Sequence, residues 1–277
     1  MAYLDIFGKD ASSIKKKKLF LLDMDGTIYQ EDDIFDGTLP MIGAIMEAGA
    51  KYLFITNNSS KSVKSYVHKV HAMDIEATED TFFTSSQATA MYIKNNYPGR
   101  KVYCQGTLSL INEFKNSGID ITEDIEGDIG VCVVGFDTEI TGAKIRKTSE
   151  VLTRFKNIPY IATNPDYRCP VSFGYIPDCG SMCIGLEYAT GRKPVFIGKP
   201  EPTMINIAME KHGVTREETL VIGDRLYTDI ASGINAGVDT VCVLTGEATL
   251  DDINASEYKP TYVLDSVMDI YQILNSY

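Results

Sequence analysis

Residues 19–27 have the sequence LFLLDMDGT, in which four consecutive apolar residues precede two acids, a glycine and a threonine. An unbroken apolar run of this length is typical of a strand that is buried on both faces of a parallel sheet. Ligands of open α/β sheets bind beyond the carboxyl ends of such strands. This stretch therefore predicts a parallel sheet and, directly after its first strand, a candidate site.

The alternation of strands and helices extends along the whole chain. A second apolar run at 52–55 and helical periodicities at 40–48 and 62–72 repeat the strand–helix unit, which predicts right-handed parallel crossovers. Further strands are expected at 102–104, 131–136, 160–162, 195–197, 220–222, 240–244 and 262–264, and further helices at 85–96, 107–117, 142–156, 203–211 and 228–236. The fold class is therefore α/β, and the turn-rich middle leaves room for a separate α/β unit.

The composition is that of an ordinary globular protein, with 44% hydrophobic and 23% charged residues among 277. It excludes the disordered, collagen-like and coiled-coil classes. The formal net charge of −12 argues against nucleic acid and anionic membrane as partners, because both repel a negatively charged surface. The apolar run at 19–22 is too short for a secretory signal, and no run approaches the about 18 apolar residues of a membrane span.

The cysteines are too sparse for a disulfide scaffold and include no CxxC pair. They lie at positions 104, 132, 169, 179, 183 and 242. Two of them, Cys132 and Cys242, are flanked by valines, which is typical of small core residues, and the overall pattern suits a reducing compartment. We therefore expect a cytoplasmic protein.

Four of the predicted strands are each followed at once by polar residues. These are Asp23 and Asp25 after 19–22, Thr56 and Asn57 after 52–55, Lys199 after 195–197, and Asp224 and Asp229 after 220–222. Each motif by itself is commonly a turn or a helix cap. We expect the four strands to be neighbours, so that carboxylates, a hydroxyl, an amide and a lysine meet at one edge of the sheet, and this combination favours a functional site.

The acids of this predicted cluster require a cation. Carboxylates about 4 Å apart repel each other by roughly 4 kcal/mol at an effective dielectric constant near 20. Ligation by oxygen alone points to Mg²⁺ rather than Zn²⁺, and a divalent ion would let the acidic edge accept a dianionic phosphomonoester. Lys199, the hydroxyl of Thr56 and backbone N–H groups around Asn57 would then cover a transferring phosphoryl group. An aspartate can act as its covalent acceptor, and a second acid as proton donor.

Four motifs, in this chain order, resemble those of the haloacid dehalogenase superfamily, and more narrowly its class IIA branch of NagD-like and p-nitrophenylphosphatase-like hydrolases. They are DMDGT at 23–27, TNNS at 56–59, GKP at 198–200 and GDRLYTD at 223–229. The resemblance covers essentially the whole chain. It implies a Rossmann-like parallel-sheet core formed by 1–83 and 191–277, with a smaller α/β cap domain of the C2 type inserted at 84–190.

The resemblance also implies a role for each motif residue. Asp23 would be the nucleophile and a Mg²⁺ ligand, and Asp25 the general acid and base, with its backbone carbonyl on the metal. Lys199 would hold Asp23 and the phosphate together. The remaining roles would be phosphoryl binding for Thr56 and Asn57, lining of the substrate side for Arg225 and Thr228, metal ligation for Asp224, support for Asp229, and substrate specificity for Asn164 and Asp166 of the cap.

The function implied is Mg²⁺-dependent hydrolysis of small phosphomonoesters through a phospho-aspartate intermediate. Sugar phosphates, nucleoside monophosphates and p-nitrophenyl phosphate are all possible substrates. Two alternatives stay open on the same scaffold: a phosphotransferase or phosphomutase, and a non-catalytic sensor of a phosphorylated ligand. A glycosyltransferase that uses Asp-x-Asp leaves the motifs of Lys199 and Asp224 unexplained. The partners expected are a small phosphorylated metabolite and a second copy of the chain, paired through the cap.

Overall fold

The computed structural model describes residues 3–276. Over this range the strands are β1 (Leu19–Leu22), β2 (Tyr29–Gln30), β3 (Asp33–Ile34), β4 (Lys51–Thr56), β5 (Phe82–Thr84), β6 (Lys101–Gln105), β7 (Ile121–Thr122), β8 (Ile129–Val134), β9 (Tyr160–Ala162), β10 (Arg168–Val171), β11 (Gly174–Pro177), β12 (Val195–Phe196), β13 (Thr219–Gly223), β14 (Asp239–Val243) and β15 (Tyr262–Leu264). The helices over the same range are α1 (Thr38–Glu47), α2 (Val63–His71), α3 (Ser85–Asn96), α4 (Leu108–Asn116), α5 (Gly142–Arg154), α6 (Cys179–Thr190), α7 (Thr203–His212), α8 (Ala231–Ala236), α9 (Leu250–Ala255) and α10 (Val267–Asn275).

The chain divides into two compact units. The first comprises the residues up to Thr56, then Val67–Phe83, and then those from Lys199 onward, while the second comprises Asn57–Tyr66 and Thr84–Gly198. The second unit thus takes in 57–66 and 191–198, which the sequence analysis assigned to the core. That the second unit works as a cap domain stays a prediction.

The first unit is built on a sheet of six strands in the order β15-β14-β13-β1-β4-β5. β1 lies at its centre and pairs in parallel with both β13 and β4. All four residues of β1 are buried, as the unbroken apolar run predicts. Because β4, β1 and β13 are adjacent and parallel, the residues that follow each of them meet at one edge of the sheet.

The second unit has its own parallel sheet, in the order β12-β9-β8-β6-β7. Its core is apolar and includes Cys132, Val134, Tyr160 and Leu186. An antiparallel hairpin, β10 with β11, occupies part of the segment 164–180 that the sequence marks as rich in turns. The predicted fold class, α/β with a parallel-sheet core and a second smaller α/β unit, is confirmed.

One strand lies in a different sheet from the one predicted. The segment 195–197 was expected as a buried strand beside the others that carry motifs, but β12 pairs with β9 of the second unit, and Val195 is 53% exposed. The motif residues therefore follow three neighbouring strands of one sheet, and the prediction of four neighbouring strands is wrong. A short apolar run predicts a strand without specifying the sheet that it joins.

The helix predicted at 228–236 begins differently. Its first part, Leu226–Ile230, is a π-helical turn, and the α-helix α8 follows directly and ends at Gly237 in the left-handed conformation. Among the described residues, no helix combines the length and the apolar character needed to cross a membrane.

Candidate active site

Three acids of the first unit come together at the carboxyl edge of its sheet. Asp23 follows β1, Asp224 follows β13, and Asp229 lies in the π-helical turn after β13. One carboxylate oxygen from each lies within 4.8 Å of the other two. The sequence prediction that acids from separate segments converge is thus met by the geometry.

Lys199 bridges two of these acids. Its Nζ lies 2.6 Å from Oδ1 of Asp23 and 2.6 Å from Oδ1 of Asp229, and the side chain is only 4% exposed. Burial opposes the charge of Lys199, but the nearby Asp229 and Asp23 outweigh it and raise the pKa of the lysine. The amine therefore stays protonated and holds the nucleophile candidate in one position.

The acids nonetheless carry more negative charge than Lys199 neutralises. Burial, and then repulsion from Asp229, raise the pKa of Asp23 to about 8. The same two causes raise the pKa of Asp224 to about 6. The cluster therefore offers carboxylate oxygens and an excess of negative charge, both of which suit a divalent metal ion.

The carboxylate of Asp224 lies in a slot between two glycines, Gly26 and Gly246. A Cβ at Gly26 or at Gly246 would overlap its carboxylate, and Gly26 has φ +83°. Oδ2 of Asp224 accepts a hydrogen bond from the backbone N–H of Glu247 at 2.8 Å, and Oδ1 accepts a long one from Thr27 Oγ1 at 3.4 Å. These contacts fix the orientation of the carboxylate toward the cluster.

Asp229 is engaged on both oxygens. Lys199 donates to Oδ1, and the backbone N–H of Arg225 donates to Oδ2 at 3.2 Å. The buried Thr228 also donates to Oδ2, at 3.4 Å. Asp229 thus orients the side chain of Lys199 and the π-helical turn that begins after Arg225.

The structure does not bring Asp25 into the acid cluster. Its carboxylate is 62% exposed and lies 3.6 Å from Nζ of Lys69, which itself sits 4.0 Å from the centre of the Tyr29 ring. Strand alternation would place residues 23 and 25 on the same side, so the exposure of Asp25 shows that the chain leaves the strand conformation after β1.

The other predicted site residues are divided between the two units. Thr56 ends β4, next to Ile55, whose carbonyl accepts a long hydrogen bond from Lys199 at 3.4 Å. Arg225 lies in the first unit and pairs through Nε with Glu247 at 3.1 Å. Asn57 belongs to the second unit.

In the second unit, Asn57 is part of a polar cluster that contains both specificity candidates. Its side-chain amide donates to Oδ2 of Asp166 at 2.9 Å, and Asn164 donates to the same oxygen at 3.0 Å. Asn164 also donates to Asp178 at 3.0 Å. Burial raises the pKa of Asp178 to about 6.

Sequence reasoning missed Gly246 and Glu247, although the signal was present. They follow β14 directly after Leu244 and Thr245, so the rule that located the other site residues, applied to this strand as well, identifies them. Thr245 donates to the carbonyl of Gly26 at 2.6 Å, which ties this loop to the loop after β1.

Known proteins resemble the chain over most of its length. Family models for haloacid dehalogenase-like hydrolases and for HAD-hydrolase-like proteins match residues 20–120 and 196–270, respectively. An acid sugar phosphatase of Staphylococcus aureus is 36% identical over 249 residues, which cover 90% of this chain and 95% of that protein. The chain belongs to the haloacid dehalogenase-like hydrolase family.

Solved structures of this hydrolase family share the fold. The 4-nitrophenylphosphatase of Thermotoga maritima superposes with a TM-score of 0.87 at 36% identity, covering 94% of this chain and 98% of that one. NagD from E. coli K-12 superposes with a TM-score of 0.83 at 30% identity, covering 91% of this chain and 97% of that one. The predicted family, its NagD-like and p-nitrophenylphosphatase-like branch and the hydrolase class are confirmed.

Proposed function

We propose that this haloacid dehalogenase-like hydrolase is a Mg²⁺-dependent phosphatase of small phosphomonoesters, with sugar phosphates among its substrates. The observation that carries the proposal is the placement of Lys199 between Asp23 and Asp229, with Asp224 close by. This arrangement orients one carboxylate and supplies positive charge beside it, as phosphoryl transfer requires. The names of the relatives, an acid sugar phosphatase and a 4-nitrophenylphosphatase, support the substrate class.

In the proposed first step, a carboxylate oxygen of Asp23 attacks phosphorus, and the bond from phosphorus to the leaving oxygen breaks. Asp25 donates the proton that the leaving oxygen takes up. In the second step, Asp25 removes a proton from water as the water attacks phosphorus, which releases phosphate and restores Asp23. Lys199 offsets negative charge on the phosphoryl oxygens throughout, and the hydroxyl of Thr56 donates to them.

The metal would be held by the carboxylates of Asp23 and Asp224 and the backbone carbonyl of Asp25. Oδ1 of Asp229 is held by the ammonium of Lys199 at 2.6 Å, whereas Oδ1 of Asp224 accepts only a long hydrogen bond at 3.4 Å, so we assign Asp224 to the metal and Asp229 to its support. When bound, Mg²⁺ would neutralise charge on the phosphoryl group and on the acids.

The proposed role of Asp25 requires a change of side-chain position. Its carboxylate contacts Lys69 in the structure, and the pairing is loose and solvent-exposed. Exposed ion pairs of this kind contribute little free energy, about 0 to 1 kcal/mol. Rotation of Asp25 toward the leaving oxygen is therefore inexpensive.

The test is the substitution Asp23→Asn, which keeps the shape of the side chain and removes the nucleophile. We expect kcat for p-nitrophenyl phosphate with Mg²⁺ to fall by at least about a thousandfold. The matched control is Asp32→Asn, which removes the same charge from an exposed residue between β2 and β3. Turnover by Asp23→Asn close to that of the control would refute the mechanism, and phosphate transfer to an added alcohol without release to water would favour the phosphotransferase alternative.

We also propose that two copies of the chain pair through the second unit. This unit exposes several aromatic side chains around the hairpin and α6, including Phe173, 81% exposed, and Tyr188, 90% exposed. We infer that these exposed aromatic groups contribute to an interaction surface, since large exposed apolar patches mark such surfaces. Light scattering should give a molar mass twice that of one chain. The double variant Phe173→Ser with Tyr188→Ser should lower the measured mass toward that of a single chain. A monomeric wild-type protein would contradict the pairing.

A further inference from the structure

A cavity of about 360 Å³ opens beside Asp224 in the first unit. Its lining consists of Asp224, Arg225, Leu226, Tyr227, Glu247, Ala248, Asp252, Ala255 and Ser256. The volume lies within the range of pockets that bind small molecules. Asp224 also belongs to the acid cluster, so the cavity and the proposed reaction centre share a wall.

Glu247 is held in place where the cavity meets the acid cluster. Its backbone N–H donates to Asp224 at 2.8 Å, while its carboxylate pairs with Nε of Arg225 at 3.1 Å and accepts a hydrogen bond from the hydroxyl of Tyr227 at 3.2 Å. The charge of the Arg225 guanidinium is therefore partly offset by the carboxylate of Glu247.

The balance of charge in the cavity is negative. Besides the proposed metal ligand Asp224, the charged residues of the lining are two acids, Glu247 and Asp252, and one base, Arg225. Leu226, Ala248 and Ala255 add apolar surface. Carboxylate oxygens accept hydrogen bonds from hydroxyl groups and repel anions, and apolar patches suit the C–H faces of a carbon chain or ring.

We propose that this cavity receives the leaving group and selects uncharged, hydroxyl-bearing leaving groups over those that carry a carboxylate or a second phosphate. The inference rests on the proposed phosphatase function and adds a specificity determinant located in the first unit. Glu247 and Asp252 act as specificity residues through their charge.

The test compares two substrates that differ in one group. Glycerol 3-phosphate has a neutral leaving group, and 3-phosphoglycerate carries a carboxylate in place of the terminal hydroxymethyl. We expect the wild-type enzyme to have the higher kcat/KM for glycerol 3-phosphate. In Glu247→Gln and in Asp252→Asn, the preference should fall on the order of threefold to tenfold, as expected for removing one repulsive charge from a partly solvated cavity.

The matched control is Asp251→Asn, which removes an equal charge from the adjacent residue of α9, outside the cavity lining. Asp252→Asn leaves the ion pair of Arg225 in place, which Glu247→Gln breaks, and the side-chain oxygen of the asparagine can still accept the hydrogen bonds that Thr249 donates to Asp252. A ratio between the two substrates does not respond to partial misfolding, since misfolding scales both rates together. Added KCl should narrow the wild-type preference, because salt screens the repulsion.

Three results would overturn the proposal. They are a wild-type preference for 3-phosphoglycerate, an unchanged ratio in both cavity variants, and a shift of equal size in Asp251→Asn. Each of them leaves the phosphatase function intact as long as the wild-type enzyme hydrolyses p-nitrophenyl phosphate. Failure of the wild-type enzyme to hydrolyse any of the three substrates would instead refute the phosphatase function and this proposal with it.

Discussion

At the scale of single residues, the site depends on one buried cation. Lys199 lies between Asp23 and Asp229, and its ammonium group is the only positive charge within 2.6 Å of either carboxylate among the described residues. Removing one partner of a buried ion pair is strongly destabilising, because it leaves the other charge uncompensated. Lys199 thus contributes to stability as well as to the proposed chemistry.

The substitution Lys199→Met should therefore lower both the stability of the protein and its phosphatase activity. We expect the free energy of unfolding at pH 7 to fall by about 3 kcal/mol and kcat to fall as well. The loss of stability should be smaller at pH 5, because protonation of Asp23, whose pKa is raised, relieves its repulsion of the neighbouring acids. Urea unfolding at both pH values measures the free energy of unfolding. The control is Lys16→Met, which changes an exposed lysine. Equal losses of stability in the two variants would contradict the role of Lys199.

At the scale of secondary-structure elements, the site is assembled by loops that pack closely on one another. Asp224 follows β13, Gly26 belongs to the loop after β1, and Gly246 to the loop after β14. The carboxylate occupies the space in which a side chain at either glycine would lie. The positions of the acids are thus set by backbone approach as much as by side-chain contacts.

Gly246→Ala should displace the Asp224 carboxylate. We expect weaker Mg²⁺ binding, seen as at least a tenfold higher Mg²⁺ concentration for half-maximal phosphatase activity, since metal ligation tolerates little displacement. Gly43→Ala in α1 is the control, because its added Cβ meets no atom within 4 Å. An unaltered Mg²⁺ dependence in Gly246→Ala would show that the slot is not required.

Secondary-structure elements also differ in how well the sequence predicts them. The run LFLL predicted a buried strand, and the polar residues after three strands predicted the acid cluster, because burial and strand ends leave local patterns in the sequence. The sheet that β12 joins and the side-chain direction of Asp25 depend on packing between distant segments, which local patterns do not encode. The helix α10 was missed although Ser266 and Asp269 form a capping box before apolar residues at helical spacing.

At the scale of the whole molecule, the acid cluster makes stability depend on pH and metal. Asp23 and Asp224 have raised pKa values of about 8 and 6 in the folded chain, against 3.8 as the ordinary value of the group. The folded state then binds more protons than the unfolded state between about pH 4 and 8, and its stability falls as the pH rises through that window.

We therefore expect the unfolding temperature of the metal-free protein to decrease from pH 5 to pH 8. Mg²⁺ should raise it, and more at pH 8 than at pH 5, because binding needs ionised carboxylates. Differential scanning calorimetry with and without Mg²⁺ measures both trends. A Mg²⁺ effect that is larger at pH 5 would contradict the assignment of these acids as ligands.

The connectivity of the two units has a consequence for protein engineering. The chain passes from one unit to the other after Thr56, Tyr66, Phe83 and Gly198. A chimaera that exchanges only 84–190 with a relative would leave 57–66 and 191–198 from the original protein, including β12 at the edge of the second sheet. Exchange of the complete second unit between such enzymes therefore calls for grafts with four junctions, in which 57–66 and 191–198 travel with the insert.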